Sequence, residues 1–331
     1  MTIKNPPDYN SVFTIKTERH FEETALEIFA FQYANNPVYR EFVQALGKNP
    51  SSVNSVEKIP FLPVEFFKSH KIISGDTSPF FAFESSGTTA QITSRHYVID
   101  PLWYEKSFTE GFRYFFGDVR NYRILALLPS YQERENSSLV YMAERLINDS
   151  KDPDSGFYLD QDDLLLTRLT EGCGSDKKTL LLGVSFALLD LAEKYPQALG
   201  DIILMETGGM KGRREELTRE DLHERLGKAF QLKDIFSEYG MTELFSQAYS
   251  KGNGVFHSPP WMKILIRDPN DPLAYLPEGR SGGINIIDLA NVYSCSFIAT
   301  QDLGKCLPGG GFEVSGRFDH SDVRGCNLLV L

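Results

Sequence analysis

The sequence predicts an α/β fold: a mostly parallel sheet with flanking helices, followed by a β-rich lobe towards the C-terminus. Three observations carry this expectation. Between Arg123 and Phe230, short apolar runs alternate with amphipathic helical stretches, the pattern of strands joined by crossover helices. Those runs end in loops rich in glycine and hydroxyl residues, and the loops leaving the C-terminal strand ends of such a sheet are where ligands collect. From Lys263 onward the character changes to apolar runs joined by turns.

Taken in order, residues 19–46 carry helical spacing (Phe21, Ala25, Ile28, Phe29, Tyr33, then Tyr39, Phe42, Val43, Leu46), broken near Asn35-Asn36-Pro37. Two helices are expected there. Pro60 and Pro63 then force extended chain through Ile59–Val64, with a short helix after it. This segment reads as scaffold with no chemistry of its own. Phe80-Phe81-Ala82-Phe83 reads as a short buried strand, and His96–Ile99 as the strand returning to it. Pro101 to Phe116 reads as an aromatic amphipathic helix, Arg123–Leu128 as a buried strand, and 138–149 as a helix. The region 150–178 is polar and irregular, with Asp160–Asp163 a solvated turn. Thr179–Val184 and Asp201–Met205 are further strands, with a helix over 186–194 between them. Thr218 caps a helix running to Phe230, and Asp234–Phe236 is a short strand. In the last quarter Lys263–Arg267, Gly283–Leu289 and Cys295–Ala299 read as strands.

At 331 residues the chain is long enough for one large domain or two smaller ones. The formal net charge is −11 with no block of like charges. That balance disfavours nucleic acid as a partner, since neutralising phosphates takes a basic stripe. The polar, proline-containing N-terminus is unlike a secretory leader. The most apolar run, Leu180–Ala192, is too short for a bilayer and is interrupted by Gly183, Ser185 and Asp190, so no membrane partner is expected. The four cysteines, Cys173, Cys295, Cys306 and Cys326, show neither CxxC spacing nor paired histidines. Zinc and a disulfide framework are therefore not expected, and the reading is a reduced, cytoplasmic protein.

Three loops combine residue types suited to a nucleotide. Ser85-Ser86-Gly87-Thr88-Thr89 places hydroxyl residues around one glycine between two strands, where backbone N–H groups can face an anion. An ordinary Ser/Thr-rich hairpin reads equally well. Thr207-Gly208-Gly209-Met210-Lys211 continues into Arg213 and Arg214 before a capped helix, and serves either as a phosphate-facing turn or as a solvated basic loop. Tyr239-Gly240-Met241-Thr242-Glu243 sets a flat ring, a close turn, a hydroxyl and a carboxylate together, suited to a base, phosphate and Mg²⁺. A strand-to-helix turn around a buried tyrosine is the alternative.

Together with Thr300-Gln301-Asp302-Leu303-Gly304 and Gly316-Arg317-Phe318-Asp319, these stretches occur in the order seen in the adenylate-forming enzymes. That superfamily comprises acyl-CoA ligases, peptide-synthetase adenylation domains and luciferases. Leu62–Lys68, Thr207–Lys211, Pro259-Pro260-Trp261, Ile266–Pro269 and the ending Ser321–Cys326 narrow it further. They resemble the acyl-protein synthetase family of bacterial luminescence, the synthetase component of fatty-acid reductase.

The resemblance implies an adenylate-forming large-domain-like fold as one domain over 1–331. Its parts would be a helical lead-in over 1–75, a nucleotide-binding core over 76–250, a β-rich lobe over 251–315 and a tail over 316–331. It implies ATP and Mg²⁺. Ser85, Ser86, Gly87, Thr88 and Thr89 would hold the β- and γ-phosphates, with Thr88 counted among the catalytic residues. Gly208 and Gly209 would wall the adenine and acyl pocket. Tyr239 would stack on adenine with Gly240 beside it, Thr242 would contact the α-phosphate, and Glu243 would ligate Mg²⁺. Asp302 would take the ribose hydroxyls, with Arg317 next to it. The reaction implied is activation of a carboxylic acid, a fatty acid in that family, to an acyl-AMP.

Two departures stand out. Ala90, Ile92 and Thr93 occupy the places where the superfamily loop continues with glycine, proline and lysine, so charge neutralisation falls to another cation such as Arg95 or Lys211. The sequence closes at Leu331, without the usual small C-terminal domain and its catalytic lysine. Cys326 takes the place of the acyl-accepting cysteine of the acyl-protein synthetases. A thiolate attacks an activated acyl group readily, and Arg324 would lower the thiol pKa. Onward transfer to an acyl-accepting protein, a reductase or a carrier, would follow. Other readings stay open: Cys326 packed in a final strand, a CoA ligase or carrier-loading enzyme, or a degenerate nucleotide- or acyl-binding protein. His257 either lines the acyl pocket or is structural, and Trp261 packs in the core.

Overall fold

The computed structural model describes residues 5–85, 92–129, 134–171, 176–208 and 217–318. The chain opens with three helices, α1 (Tyr9–Phe13), α2 (Glu18–Asn35) and α3 (Pro37–Ala45). Asn36 separates the last two: its side chain accepts the Tyr39 N–H at 3.0 Å, and Pro37 at the first helical position gives up no hydrogen bond. Strand β1 (Leu62–Pro63) and the single-turn α4 (Phe66–Ser69) follow, as the two prolines predict.

Next comes the hairpin of β2 (Phe81–Glu84) and β3 (Arg95–Val98), then α5 (Pro101–Phe116), capped by Asp100 and stopped by Gly117 at φ +88°. The aromatic run leading into β2 is not the buried strand expected. Phe83 is buried, but Phe80 is 79% exposed, because it precedes the ladder on a two-stranded hairpin that covers one side only.

The crossover region supplies β4 (Tyr122–Leu127), α6 (Ser138–Ser150), β5 (Gly156–Phe157), α7 (Asp162–Glu171), β6 (Lys178–Val184), α8 (Ser185–Lys194), β7 (Ile202–Thr207), α9 (Arg219–Phe230), β8 (Phe236–Tyr239) and β9 (Ala248–Ser250). These strands form a six-stranded sheet in the order β5-β4-β6-β7-β8-β9. It is parallel from β5 to β8, and β9 returns antiparallel to β8. The described part of the stretch 150–178 is more ordered than its polarity suggests. Asp162 and Asp163 sit in the first turn of α7, where carboxylates suit the helix dipole, and Leu165 and Leu169 are buried one turn apart. Buried charge holds the region: Arg123 pairs with Asp152 and Asp154, which also meet Lys177 and Arg168.

The final lobe contains β10 (Met262–Arg267), β11 (Gly282–Asp288), β12 (Phe297–Cys306) and β13 (Phe312–Arg317). β10, β11 and β12 are antiparallel neighbours, and β12 pairs with β1 at one end and with β13 at the other. Two strands extend beyond their expected bounds. β8 runs on to include Tyr239, and β12 runs on to include Thr300–Gly304, so Asp302 lies within a ladder rather than in a loop. Pairing supplies the reason: Asp302 is opposite Arg317 in the β12–β13 register.

A continuous apolar core joins the leading helices, the parallel sheet and the lobe. α2 is tied to the lobe by Gln32, whose amide donates to the carbonyls of Asn291 and Val292 at 2.9 Å each. Among the described residues no helix is long and apolar enough to cross a membrane.

Candidate functional site

The parallel strands β6, β7 and β8 end side by side, and their ends are held by polar contacts. At the end of β7, Thr207 donates its hydroxyl to the buried Glu238 of β8. Gly208 adopts φ +62°, and its carbonyl accepts the Ser185 hydroxyl at 2.8 Å. Glu206, on the other face of β7, is buried and receives Ser185, Arg219 and His223. Burial alone would raise its pKa, but the hydrogen bond from His223, the charge of Arg219 and the Ser237 hydroxyl together hold it below the usual carboxylate value. Arg219 also donates to the Val314 carbonyl at 2.9 Å, which ties α9 to β13.

Tyr239, the last residue of β8, is 8% exposed. Its ring meets Phe256 and Phe312 edge-on, at 5.8 and 5.7 Å between centroids. Its hydroxyl donates to Asp302 Oδ2 at 2.7 Å, and Arg317 Nε donates to Asp302 Oδ1 at 2.9 Å. Burial, reinforced by the Asp302 charge, pushes the Tyr239 phenol well above its ordinary pKa, so it remains a donor. One buried carboxylate from the lobe is thus held between a tyrosine of the parallel sheet and an arginine of the neighbouring strand. Arg317 itself is 74% exposed along its side chain and can reach outward.

The turn after Tyr239 is fixed from two sides. Gly240 leaves room for Glu238, whose Oε1 a Cβ at this position would displace. Asn291 donates to the Glu243 carbonyl at 2.8 Å, and the buried Asp288 accepts the N–H groups of Phe245 and Ser246 at 2.9 and 2.8 Å. From the hairpin side, His96 of β3 meets the Thr242 carbonyl at 2.9 Å.

Glu243 is buried, and burial raises its carboxyl pKa against a hydrogen bond from Ser94 and the charges of Arg317 and Lys68. Ser94 and Ser85 close the base of the β2–β3 hairpin: Ser85 N–H donates to the Ser94 carbonyl at 3.0 Å, and Ser94 N–H to the Ser85 hydroxyl at 2.9 Å. Ser85, Thr242, Glu243, Tyr239, Asp302 and Arg317 therefore belong to one region. Gly208, at the end of the neighbouring strand β7, joins it through Thr207 and Glu238. Ser86, Gly87, Thr88, Thr89, Gly209, Lys211 and Cys326 lie outside the described residues. So does Cys173. Cys295 is buried with its thiol pushed up to about 12 by burial, and Cys306 is half-buried.

Sequence reasoning passed over one contributor. The β1–α4 segment, read as plain scaffold, lies at the site: β1 pairs with β12 three residues before Asp302, and Gln301 donates to Glu65 at 2.5 Å. Lys68 follows, and with Lys71, Arg95, His70, Thr93 and Tyr97 it lines a recess of about 440 Å³ beside the hairpin. Arg95 is already paired with Glu84 at 3.0 Å. A larger recess of about 890 Å³ lies against Phe115, Tyr249, Lys251 and His257. Trp261 is buried, its indole N–H donating to Ser246 at 3.0 Å.

Glu243 is a buried carboxylate in this region that could hold a cation such as Mg²⁺. A carboxylate whose burial makes its bare charge costly is stabilised by a cation, and Mg²⁺ commonly takes one or two protein carboxylates together with phosphate oxygens.

No protein-family model matches the sequence. No curated protein matches it either. In three dimensions it is similar to 2-hydroxyisobutyryl-CoA ligase in an open conformation with 2-HIB-AMP and CoA, at 14% identity and a TM-score of 0.64, over 93% of this chain and 77% of that one. It is also similar to ATP-bound MatB from Rhodopseudomonas palustris, at 17% identity and a TM-score of 0.53, over 71% of this chain and 47% of MatB. A third similar structure is the luciferase-like enzyme of the nonluminescent Zophobas morio mealworm, at 15% identity and a TM-score of 0.50, over 75% of this chain and 60% of that one. The match spans about half the length of MatB. The chain has the fold of the adenylate-forming enzymes.

Proposed function

We propose that the protein is an adenylate-forming ligase, using ATP to activate a carboxylic acid to an acyl-AMP. The observation that carries this reading is the meeting of Tyr239, Asp302 and Arg317 beside the Thr242–Glu243 turn and the hairpin base, two sheets converging on one place. In this reading Asp302 accepts the ribose hydroxyls, Tyr239 and Gly240 border the base, and Gly208 and Gly209 wall the pocket. Thr242 contacts the α-phosphate, and Ser85–Thr89 follow the outer phosphates. Glu243 holds Mg²⁺, which when bound neutralises phosphate charge. A carboxylate oxygen of the acid attacks the α-phosphorus, the bond to the bridging oxygen breaks, and pyrophosphate leaves. Positioning and fixed charge supply the acceleration. The positive charge missing from the Ser/Thr loop is furnished by Lys68 and Lys71 from α4 and the residues after it, which line the recess next to the hairpin.

The finer reading follows the resemblance to the acyl-protein synthetases: the acyl group, a fatty acyl chain in that family, passes from AMP to the Cys326 thiolate and then to an acyl-accepting reductase or carrier. CoA as the acceptor is the second reading, favoured by the similar structure that holds both acyl adenylate and CoA. One experiment separates them. Incubation with Mg-ATP, CoA and a panel of carboxylic acids, followed by mass analysis of the C-terminal peptide, finds an acyl adduct on Cys326 in the first reading. Cys326→Ser then abolishes the adduct while leaving ATP–pyrophosphate exchange intact. In the second reading the peptide stays unmodified and CoA is consumed.

A further inference from the structure

His96 is fully buried, at 0% exposure. Its ring stacks on Phe245 at 4.6 Å and 22°, and meets Phe67 edge-on at 5.7 Å. Nδ1 lies 2.9 Å from the Thr242 carbonyl oxygen. A carbonyl only accepts, so Nδ1 carries the proton, and in the neutral ring Nε2 presents a lone pair. Burial keeps the ring neutral, with its pKa lowered to about 4. Among the described residues nothing donates to Nε2. A buried acceptor without a donor costs free energy comparable to a lost hydrogen bond. Leucine or phenylalanine would fill the space between Phe67 and Phe245 without that cost. Among the described residues, Nδ1 is the ring nitrogen that has a partner, the Thr242 carbonyl.

That nitrogen grips the one turn on which the proposed chemistry depends. Asn291 and Asp288 hold the turn from the lobe, at Glu243, Phe245 and Ser246. His96 holds it from the opposite side, from the strand that returns out of the Ser/Thr loop.

We propose that His96 is a positioning residue: by holding the Thr242 carbonyl it locks the Gly240–Glu243 turn to the β2–β3 hairpin. The Thr242 hydroxyl and the Glu243 carboxylate then keep one arrangement relative to that hairpin. The consequence for catalysis rests on the adenylation reading, whereas the mechanical link does not.

The test compares His96→Leu, which removes the donor, with His96→Asn, whose side-chain amide can donate from near the Nδ1 position. In the full-length, ligand-free protein, His96→Leu is expected to keep or raise the thermal midpoint. Amide hydrogen exchange across Met241–Leu244 is expected to quicken by about tenfold, the scale of one lost hydrogen bond. In acid-dependent ATP–pyrophosphate exchange, kcat falls by roughly the same factor with KM for the acid unchanged, and His96→Asn recovers most of both losses. Unchanged hydrogen exchange in His96→Leu overturns the inference, as does a loss of rate that simply follows a lowered thermal midpoint in both variants. Should neither variant fold, the nitrogen spectrum of the wild-type ring decides: a protonated, slowly exchanging Nδ1 supports the link and an Nε2-protonated ring overturns it. Absence of exchange activity with every acid would sink the adenylation reading and leave the hydrogen-exchange result to judge His96.

Discussion

The Tyr239 hydroxyl lies 2.7 Å from Asp302 Oδ2, joining residues 63 positions apart in sequence and carried by different sheets. Asp302 has its other oxygen on Arg317, so a single buried carboxylate connects the parallel sheet, the lobe and its last described strand.

Replacing that carboxylate is expected to damage nucleotide binding more than replacing either partner. Asp302→Ala should weaken binding of AMP and ATP by roughly 10- to 100-fold, the scale of charged hydrogen bonds lost from a buried site. Tyr239→Phe, which removes one donor and keeps the ring, should cost about tenfold or less. Titration calorimetry with AMP, which lacks the outer phosphates, isolates this half of the site.

In the proposed reading the cationic recess neutralises the outer phosphates. Lys68→Met and Lys71→Met, alone and together, should weaken binding of inorganic pyrophosphate by several-fold each while leaving AMP binding within about twofold. Because these side chains are exposed, the effect should shrink as salt rises. Arg95→Met is the useful contrast: its charge is already matched by Glu84, so its loss should matter less.

His96 sets an acid limb on stability. Its pKa falls from 6.5 to about 4 on burial, so between those values the unfolded chain binds more protons than the folded one. The contribution is present in full above pH 6.5 and is lost as the pH falls towards 4. Urea unfolding across this window should show a decline of up to about 3 kcal/mol that His96→Leu removes.

Asp288 is expected to be the most damaging single position in the turn's support. It accepts from the backbone of Phe245, Ser246 and Ala290 and from the Ser246 hydroxyl, all in a buried setting. Asp288→Ala leaves those donors without an acceptor and should cost about 3 kcal/mol or more in chemical denaturation. Ser246→Ala, which removes one of the four, should cost about 1 kcal/mol.

The parallel sheet was legible because its strands are near-continuous apolar runs separated by amphipathic helices, the last of them capped by Thr218 as its neighbours imply. The acidic start of α7 misled because solvated carboxylates and dipole-stabilising ones look alike without the buried leucines one turn on. Asp302 and Tyr239 stood out within their motifs, but not as strand residues bonded to each other, since long-range pairing leaves no local mark. Lys68 and His96 carried the weakest signals. A lysine after two aromatics reads as a helix end, and a histidine in an alternating strand reads as a surface position. The pairing of β1 with β12 and the burial of His96 on the inward side of β3 bring them to the candidate site. Asp288 and Asn291 did leave a trace, as polar residues inside an otherwise apolar stretch, which is where buried turns take their anchors.

The most direct test of the account is acid-dependent exchange of labelled pyrophosphate into ATP, run on the full chain with Mg²⁺ and a panel of carboxylic acids. The account predicts exchange with at least one acid, none without acid, and a loss of roughly 100-fold in Asp302→Ala and in Glu243→Gln with both variants folded. Failure of every acid to support exchange, in a protein that also fails to bind AMP, would contradict it.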